Sequence, residues 1–179
     1  MYKKFSLLCL TLLSYQATAE QSNLTTLTAL QEGSREFAIG GSFDADYSDD
    51  YLIDFNASYG YFIFDHFEVG TEVDLSMSDH TEAYEVGVFA EYNFELGSSI
   101  VPYIGLGSQY VSSETLSTQG HEDAFNFQTA LGIKYFVHPQ IALTMEANYN
   151  LATEDVYVDG DGTLKDNKTK FILGTRFYF

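Results

Sequence analysis

The stretch KFILGTRFYF, residues 170–179, alternates between two kinds of side chain up to its last residue. One set of alternate positions is mostly apolar and includes Phe171, Leu173, Phe177 and Phe179. The positions between them include the cations Lys170 and Arg176. A repeat of two residues is typical of a β-strand whose two faces meet different surroundings. The stretch therefore predicts a strand with one apolar face and one positively charged face.

Eight stretches of the chain show this alternation. They lie at about residues 35–45, 51–61, 67–77, 82–94, 101–111, 123–136, 140–151 and 168–179. One face of each is aliphatic or aromatic, and the other carries small, polar or charged residues. Small and charged side chains suit the cramped interior of a narrow closed barrel, whose apolar outer face would meet lipid. A length of about 10–12 residues is what a tilted strand needs to cross the hydrocarbon core of a bilayer.

The connections between the stretches alternate in length. The short ones lie at 62–66, 95–100 and 137–139. The polar ones lie near 46–50, 78–81, 112–122 and 152–167, and the last two of these are long. Short periplasmic turns, longer external loops and an even number of strands are typical of outer-membrane barrels. We therefore predict an all-β fold: an eight-stranded antiparallel up-and-down transmembrane β-barrel over residues 35–179.

The beginning of the chain has the pattern of an export signal. Lys3 and Lys4 precede a short apolar run, and the sequence ATA at 17–19 fits the small-residue rule for cleavage. We predict a cleaved signal peptide over residues 1–19, with an uncleaved N-terminal anchor as the alternative. Residues 20–34 are polar and weakly patterned, and we predict that they form a periplasmic lead-in to the barrel.

Composition narrows the possible functions. The chain has 179 residues, enough for one domain, and carries 26 acidic against 8 basic residues. This acidity argues against nucleic acid as a partner, because phosphate binding needs clustered cations. The single cysteine, Cys9, lies in the predicted signal, so the mature chain has no thiol for a disulfide or a zinc site. No cofactor is expected.

Three stretches carry a family resemblance. They are LGIKYFVHPQIALTMEANY (131–149), FILGTRFYF (171–179) and VPYIGLGSQY (101–110). In these stretches the chain resembles the small eight-stranded outer-membrane barrels of the OmpA-like and OmpX-like kind. The resemblance implies a monomer in contact with outer-membrane lipid and lipopolysaccharide. It also implies that the barrel-assembly machinery reads Phe171, Leu173, Phe177 and Phe179 in the last strand.

The charged residues on the inward faces are the candidate functional residues. They are Glu36, Glu72, Glu85, Glu91, Lys134, Glu146, Lys170 and Arg176, with Asp74 beside them. Glu146 and Arg176 fall on adjacent strands, and Lys134 could also reach Glu146. Glu36 would neighbour Arg176 or Lys170 where the barrel closes. Opposite charges in a narrow interior are expected to pair, which predicts a salt-bridge network that blocks the lumen.

The sequence offers two other candidate sites, an enzyme active site and a divalent-cation site. Small outer-membrane barrels include lipid-modifying enzymes, but the surroundings of His66, His80, His121 and His138 match no such motif, so we expect no enzyme activity. The acidic loop 154–167 resembles a calcium loop but fails the EF-hand pattern, so a weak divalent-cation site at the fourth external loop is the most it predicts.

Three functions remain open at this point. The first is a structural or surface-interaction role in the outer membrane, through envelope integrity or binding by the loops. The second is a small gated or cation-preferring channel plugged by the inward Glu, Arg and Lys residues. The third is a soluble periplasmic binding barrel of the lipocalin kind, which would carry its apolar face inside.

Overall fold

The computed structural model describes residues 27–47, 50–77, 81–115, 120–158 and 164–179. The predicted signal peptide and the first part of the predicted lead-in lie outside these residues. Among the described residues, no helix is both long and apolar enough to span a lipid bilayer.

Strands make up most of the described chain. They are β1 (Arg35–Tyr47), β2 (Asp50–Phe64), β3 (Phe67–Met77), β4 (Thr81–Asn93), β5 (Ile100–Thr115), β6 (Gly120–His138), β7 (Ile141–Ala152), β8 (Tyr157–Val158), β9 (Leu164–Lys165) and β10 (Asn167–Tyr178). A short 3₁₀ helix, Thr28–Leu30, precedes β1.

Eight of the strands close into a barrel in the order β1-β10-β7-β6-β5-β4-β3-β2, and every neighbouring pair is antiparallel. The last strand closes the barrel against the first, with Phe37 opposite Phe177 and Gly40 opposite Gly174. Strands β8 and β9 form a separate small hairpin within the connection from β7 to β10. The predicted fold, an eight-stranded antiparallel up-and-down barrel, is confirmed.

The alternation in the sequence sorts the side chains to the two sides of the barrel wall. In β10 the side chain of Phe171 is 71% exposed, whereas its neighbours Lys170 and Ile172 are buried. Exposed aromatic and aliphatic residues recur on the outer face of every barrel strand. A soluble lipocalin-like barrel would place its apolar face inside, so that alternative is wrong.

Several connections are shorter than the sequence predicts, and two of them show the reason. β5 and β6 continue as a paired hairpin as far as Thr115 and Gly120, so the connection is 116–119 and not the long loop 112–122. Strand β2 likewise continues to Phe64, which leaves a turn at Asp65 and His66. Backbone pairing satisfies polar groups equally well beyond the apolar stretch, so the end of the apolar pattern did not mark the end of the strand.

The barrel has two distinguishable ends. We call the end where β1 begins and β10 finishes the terminal end, and the opposite end the loop end. At the terminal end Leu30 of the 3₁₀ helix is fully buried. It packs in a cluster with five inward-facing barrel residues: Phe62, Val101, Phe136, Ala142 and Tyr178. The terminal end is therefore covered by part of the predicted lead-in.

Backbone hydrogen bonds fix this terminal cap, which we define as residues 27–34. The His66 N–H donates to the Leu30 carbonyl at 2.7 Å, and the Gly33 N–H donates to the Phe62 carbonyl at 2.9 Å. The Leu27 N–H donates to the Glu95 carboxylate at 3.2 Å. Gly33 has a φ of +91°, a conformation that residues with a Cβ rarely adopt.

The loop end is covered in a similar way. Val156 and Tyr157, in the connection after β7, are buried against the inward-facing Val111, Ala124 and Ala152. The inward face is thus apolar at both ends of the barrel and charged between them. This arrangement confines the charged residues to the middle of the lumen.

Candidate functional site in the barrel lumen

Small residues on the inner wall give the charged side chains their room. A Cβ atom at Gly60 would overlap the carboxylate of Glu68, and one at Gly132 would overlap the ring of Tyr103. These glycines lie on strands next to the large residues that they accommodate. An eight-stranded barrel can hold long inward side chains only where other positions are nearly empty.

Arg176 of β10 is the centre of the larger charge cluster. Its Nη1 lies 2.7 Å from Glu36 Oε1 and 2.9 Å from Glu91 Oε2. Its Nη2 lies 3.1 Å from Glu146 Oε2 and donates at 3.1 Å to the Tyr103 hydroxyl. The Tyr103 hydroxyl in turn donates to Glu146 at 2.5 Å. Arg176 therefore joins carboxylates from three strands across the lumen.

Lys134 of β6 belongs to the same cluster and is completely buried. Its Nζ lies 2.6 Å from Glu91 Oε1, 2.9 Å from Glu36 Oε2 and 3.8 Å from Glu68 Oε2. We call Arg176, Lys134 and their acidic partners the Arg176 cluster. The carboxylates of Glu36, Glu68 and Glu91 are close enough together to hold a metal ion, but the Lys134 ammonium already contacts all three.

A second cluster lies toward the loop end. Lys170 Nζ lies 3.1 Å from Glu85 Oε1 and 3.6 Å from Asp54 Oδ1, and Lys168 Nζ lies 3.8 Å from the same Asp54 oxygen. The Ser42 and Ser76 hydroxyls also donate to Asp54. We call this group the Lys170 cluster. Its two lysines come from β10, and its acids come from β2 and β4.

A layer of amides and carboxylates continues from the Lys170 cluster across the lumen. Gln109 Nε2 donates to Asp74 Oδ2 at 3.0 Å, and Asn126 Nδ2 donates to Gln109 Oε1 at 2.6 Å. Asn126 Nδ2 also lies 2.9 Å from Asn150 Oδ1. Asn56 donates to the other oxygen of Asp74 at 3.2 Å. These bonds link side chains from five strands.

The structure brings several of the sequence-predicted residues together. Glu146 and Glu36 both contact Arg176, as the strand order suggests. Lys170 contacts Glu85 on the far side of the lumen and not Glu36, because its end of β10 lies far from the start of β1. Lys134 contacts Glu36 and Glu91, and it forms no ion pair with Glu146.

Sequence reasoning also missed members of the clusters. Glu68, Asp54 and Tyr103 face inward in the alternation, but nothing in their spacing marks them as partners of Lys134, Lys170 and Arg176. Their pairings depend on how far neighbouring strands are shifted along each other. A barrel model with a fixed strand stagger would have found them.

Glu72 joins neither cluster. It lines a cavity of about 50 Å³ that borders the Arg176 cluster in the middle of the lumen. Among the described residues, no Lys or Arg nitrogen lies within salt-bridge distance of Glu72, and its Oε1 atom has no hydrogen-bond partner. We call this cavity the central chamber.

The lumen as a whole has more acid than base. The described acids are Glu36, Asp54, Glu68, Glu72, Asp74, Glu85, Glu91 and Glu146. The described cations are Lys134, Lys168, Lys170 and Arg176. Eight acids against four cations leave an excess of four negative charges if all are ionised. Since burying unpaired charge is unfavourable, this excess needs protons or bound cations.

The remaining predicted residues lie away from the lumen. His66 and His138 lie at terminal-end turns, where His66 is 3.8 Å from Glu95 and His138 accepts the Gln140 N–H. The side chains of His80 and His121 lie outside the described residues. So do residues 159–163 of the predicted cation loop, whose flanking Asp155 and Asp166 are exposed.

The predicted assembly residues lie on the outer face of β10 or directly after it. Phe171, Leu173 and Phe179 are 71%, 64% and 60% exposed, and Phe177 is half-buried. The backbone of Phe179 continues the closure, since Arg35 and Phe179 exchange two hydrogen bonds of 2.9 and 3.1 Å. These side chains are accessible from the direction of the membrane.

Comparison with known proteins agrees with this architecture. The N-terminal β-barrel domain of Pseudomonas aeruginosa OprF is 18% identical with a TM-score of 0.60, and the match covers 83% of this chain and 98% of that one. Neisserial surface protein A is 16% identical with a TM-score of 0.56, covering 82% and 96%. Ail of Yersinia pestis is 17% identical with a TM-score of 0.50, covering 83% and 100%. No curated protein sequence matches the chain.

At these identities the solved structures establish the fold alone. The family described as "Outer membrane protein beta-barrel domain" matches residues 5–177, almost the whole chain. The closed barrel, its exposed apolar outer face and its charged lumen are what a protein of the outer membrane requires. The chain therefore belongs to the outer membrane protein β-barrel domain family.

Proposed function

We propose that this protein is a structural component of the outer membrane whose lumen is closed, and that its loops provide contacts at the cell surface. The observation that supports the proposal is the apolar packing inside both ends of the barrel. Leu30 covers the terminal end, and Val156 with Tyr157 covers the loop end. An ion would have to pass both caps and both charge clusters.

The alternative is a small gated channel, which the central chamber favours. The chamber lies next to the Arg176 cluster and is lined by polar side chains, so water can occupy part of the route. Opening would require the terminal cap to leave and Arg176 to release at least one of its three carboxylates. Breaking buried pairs of this kind is costly, which supports the closed barrel as the resting state.

Conductance in a planar lipid bilayer separates the two functions. We expect the wild-type protein, Arg176→Met and Glu146→Gln to give no steady current, because the caps remain in place. The matched control is Glu154→Gln, an exposed carboxylate of the loop after β7. A steady wild-type current, or a current that appears in Arg176→Met and Glu146→Gln but not in Glu154→Gln, would establish the channel instead.

The structural role has its own test in cells. A strain that lacks the protein should admit large antibiotics or detergents more readily, and the wild-type protein should restore the barrier. We expect Arg176→Met, expressed at the same level in the outer membrane, to restore it as well. Unchanged sensitivity in the deletion strain would count against a role in envelope integrity.

The remaining partners are proposals of the same kind. We propose export through a signal peptide of residues 1–19, the terminal end in the periplasm and insertion as a monomer. The barrel-assembly machinery would read the last strand, ending at Phe179. Contacts with lipopolysaccharide phosphates would use the exposed cation Lys165. The weak divalent-cation site at the fourth external loop stays a prediction, and no enzyme activity is proposed.

A further inference from the structure

The central chamber contains a carboxylate, that of Glu72, which forms no ion pair with any described Lys or Arg, although Gln109 hydrogen-bonds to it. The Glu72 side chain is 7% exposed, and its Oε1 atom has no hydrogen-bond partner. The position facing it is Gly107, where a Cβ atom would lie only 3.0 Å from that oxygen. Glu72 therefore points into a space that is kept open by the absence of a side chain.

The charged residues around Glu72 do not neutralise it. The groups that act on it most strongly by charge are Asp74, Glu146 and Glu85, and all three are acids. Arg176 also lines the chamber, but its guanidinium is bound to Glu36, Glu91 and Glu146. A carboxylate in this position raises the free energy of the folded state unless a positive ion joins it.

Besides Glu91 and Glu146, which are bound to Arg176, the chamber wall supplies neutral oxygen atoms. Asn56, Ser58, Gln128 and Thr144 line the same space as Glu72 and come from β2, β6 and β7. Hard cations are bound by carboxylate, carbonyl, hydroxyl and water oxygens. A volume of about 50 Å³ accommodates a small ion with one or two waters.

We infer that the central chamber is a binding site for one alkali cation of the size of Na⁺, with the Glu72 carboxylate as its charged ligand. One free carboxylate oxygen among neutral oxygens suits a monovalent ion, whereas Ca²⁺ usually gathers several carboxylates. The site adds a positive charge to a lumen that has an excess of acids. This cation site can exist whether or not the barrel conducts ions across the membrane.

Thermal unfolding of the refolded barrel in detergent tests the site. Because the chamber lies in the middle of the lumen, each sample is refolded in the salt under test. Sodium chloride is compared with N-methyl-D-glucamine chloride at equal ionic strength, since this organic cation is too large for the chamber. We expect the wild-type midpoint to rise with Na⁺ concentration and to level off, as binding to the folded state requires.

The variants assign the effect to Glu72. In Glu72→Gln the difference between the two salts should disappear, and in the control Glu154→Gln it should remain. Equal midpoints in the two salts for the wild type would overturn the inference and indicate that protons neutralise the chamber. An undiminished Na⁺ effect in Glu72→Gln would also overturn it, as would stabilisation by Ca²⁺ alone.

Crystallography provides a measurement that needs no variant, in case Glu72→Gln does not fold. Wild-type protein refolded and crystallised in thallium or rubidium salt should show an anomalous scattering peak in the chamber beside Glu72. Peaks only at the protein surface would overturn the inference. If the planar-bilayer experiment shows that the protein conducts, the proposed structural role is refuted, but the anomalous peak beside Glu72 is still expected. The proposed function and the proposed cation site are therefore tested independently.

Discussion

Replacing Arg176 by methionine should destabilise the barrel strongly. The Arg176 side chain is 8% exposed and contacts the carboxylates of Glu36, Glu91 and Glu146 at 2.7 to 3.1 Å. Methionine fills much of the same space but has no charge. The decrease in the free energy of unfolding therefore reflects lost charge interactions more than lost packing. The substitution leaves buried carboxylates with too few cations.

The size of this destabilisation depends on the contacts that the three carboxylates keep after Arg176 is replaced. Removing one partner from a buried ion pair costs about 3–5 kcal/mol. Glu36 and Glu91 still contact Lys134, and Glu146 still accepts the Tyr103 hydroxyl. These remaining contacts place the expected loss at the lower end, about 3 kcal/mol.

Urea-induced unfolding of the barrel in lipid vesicles, followed by circular dichroism or by the fluorescence of its 14 tyrosines, measures this loss of stability. The matched control is Arg35→Met, because Arg35 is an exposed arginine at the beginning of β1. The control should change the free energy of unfolding by less than about 0.5 kcal/mol. The double variant Arg176→Met/Glu146→Gln should be more stable than Arg176→Met, because Glu146 is the partner that the single change leaves without a cation.

A loss in Arg176→Met no larger than that in Arg35→Met would refute this reasoning. It would mean that water or protons replace the guanidinium at little cost, and that the cluster does not stabilise the barrel. A double variant that is less stable than Arg176→Met would show that Glu146 stabilises the barrel through contacts other than its pairing with Arg176, such as the hydrogen bond from Tyr103.

Three further predictions concern the cap, the inner wall and the last strand. Leu30→Ala should lower the free energy of unfolding by about 3 kcal/mol in the same urea assay, whereas the exposed Leu164→Ala should have little effect. Gly132→Ala should cost about 1–3 kcal/mol, because its Cβ would displace the Tyr103 ring, and a neutral result would contradict the packing described above. Deleting Phe179 should reduce the amount of folded barrel in the outer membrane, measured by heat-modifiable mobility on gels, while Phe179→Tyr should assemble. Normal insertion of the deletion variant would argue against an assembly signal in the last residue.

Much of the barrel was predictable because strand alternation is a local property. Phe171 and Lys170 are neighbours in the chain and must point to opposite faces, so their chemistry identifies the lipid and lumen sides directly. The pairing of Arg176 with Glu146 was also within reach, since their strands are joined by one connection. Strand ends were less predictable, because backbone pairing continues at Thr115 after the apolar pattern has stopped.

The contacts across the lumen were not predictable in the same way. Lys170 meets Glu85 and Lys134 meets Glu36, pairs whose members lie 85 and 98 residues apart and on strands that are not neighbours. Which inward residues share a level depends on the stagger of the strands, and a two-residue repeat contains no information on that stagger. Long side chains in a narrow lumen pair with whichever opposite charge lies nearest, even when it belongs to a strand that is not a neighbour.

The sequence by itself determined that this chain forms a membrane barrel, that a set of acids and bases on its strands faces inward, and that its last strand runs almost to the final residue. Only the tertiary structure decided that apolar side chains pack inside both ends of the lumen. Leu30 and Tyr157 lie outside the barrel strands, in segments without a repeat, and they are buried because inward-facing apolar residues at each end of the barrel pack against them. At the terminal end these residues come from five strands that lie far apart in the sequence, and only the closed barrel brings them together.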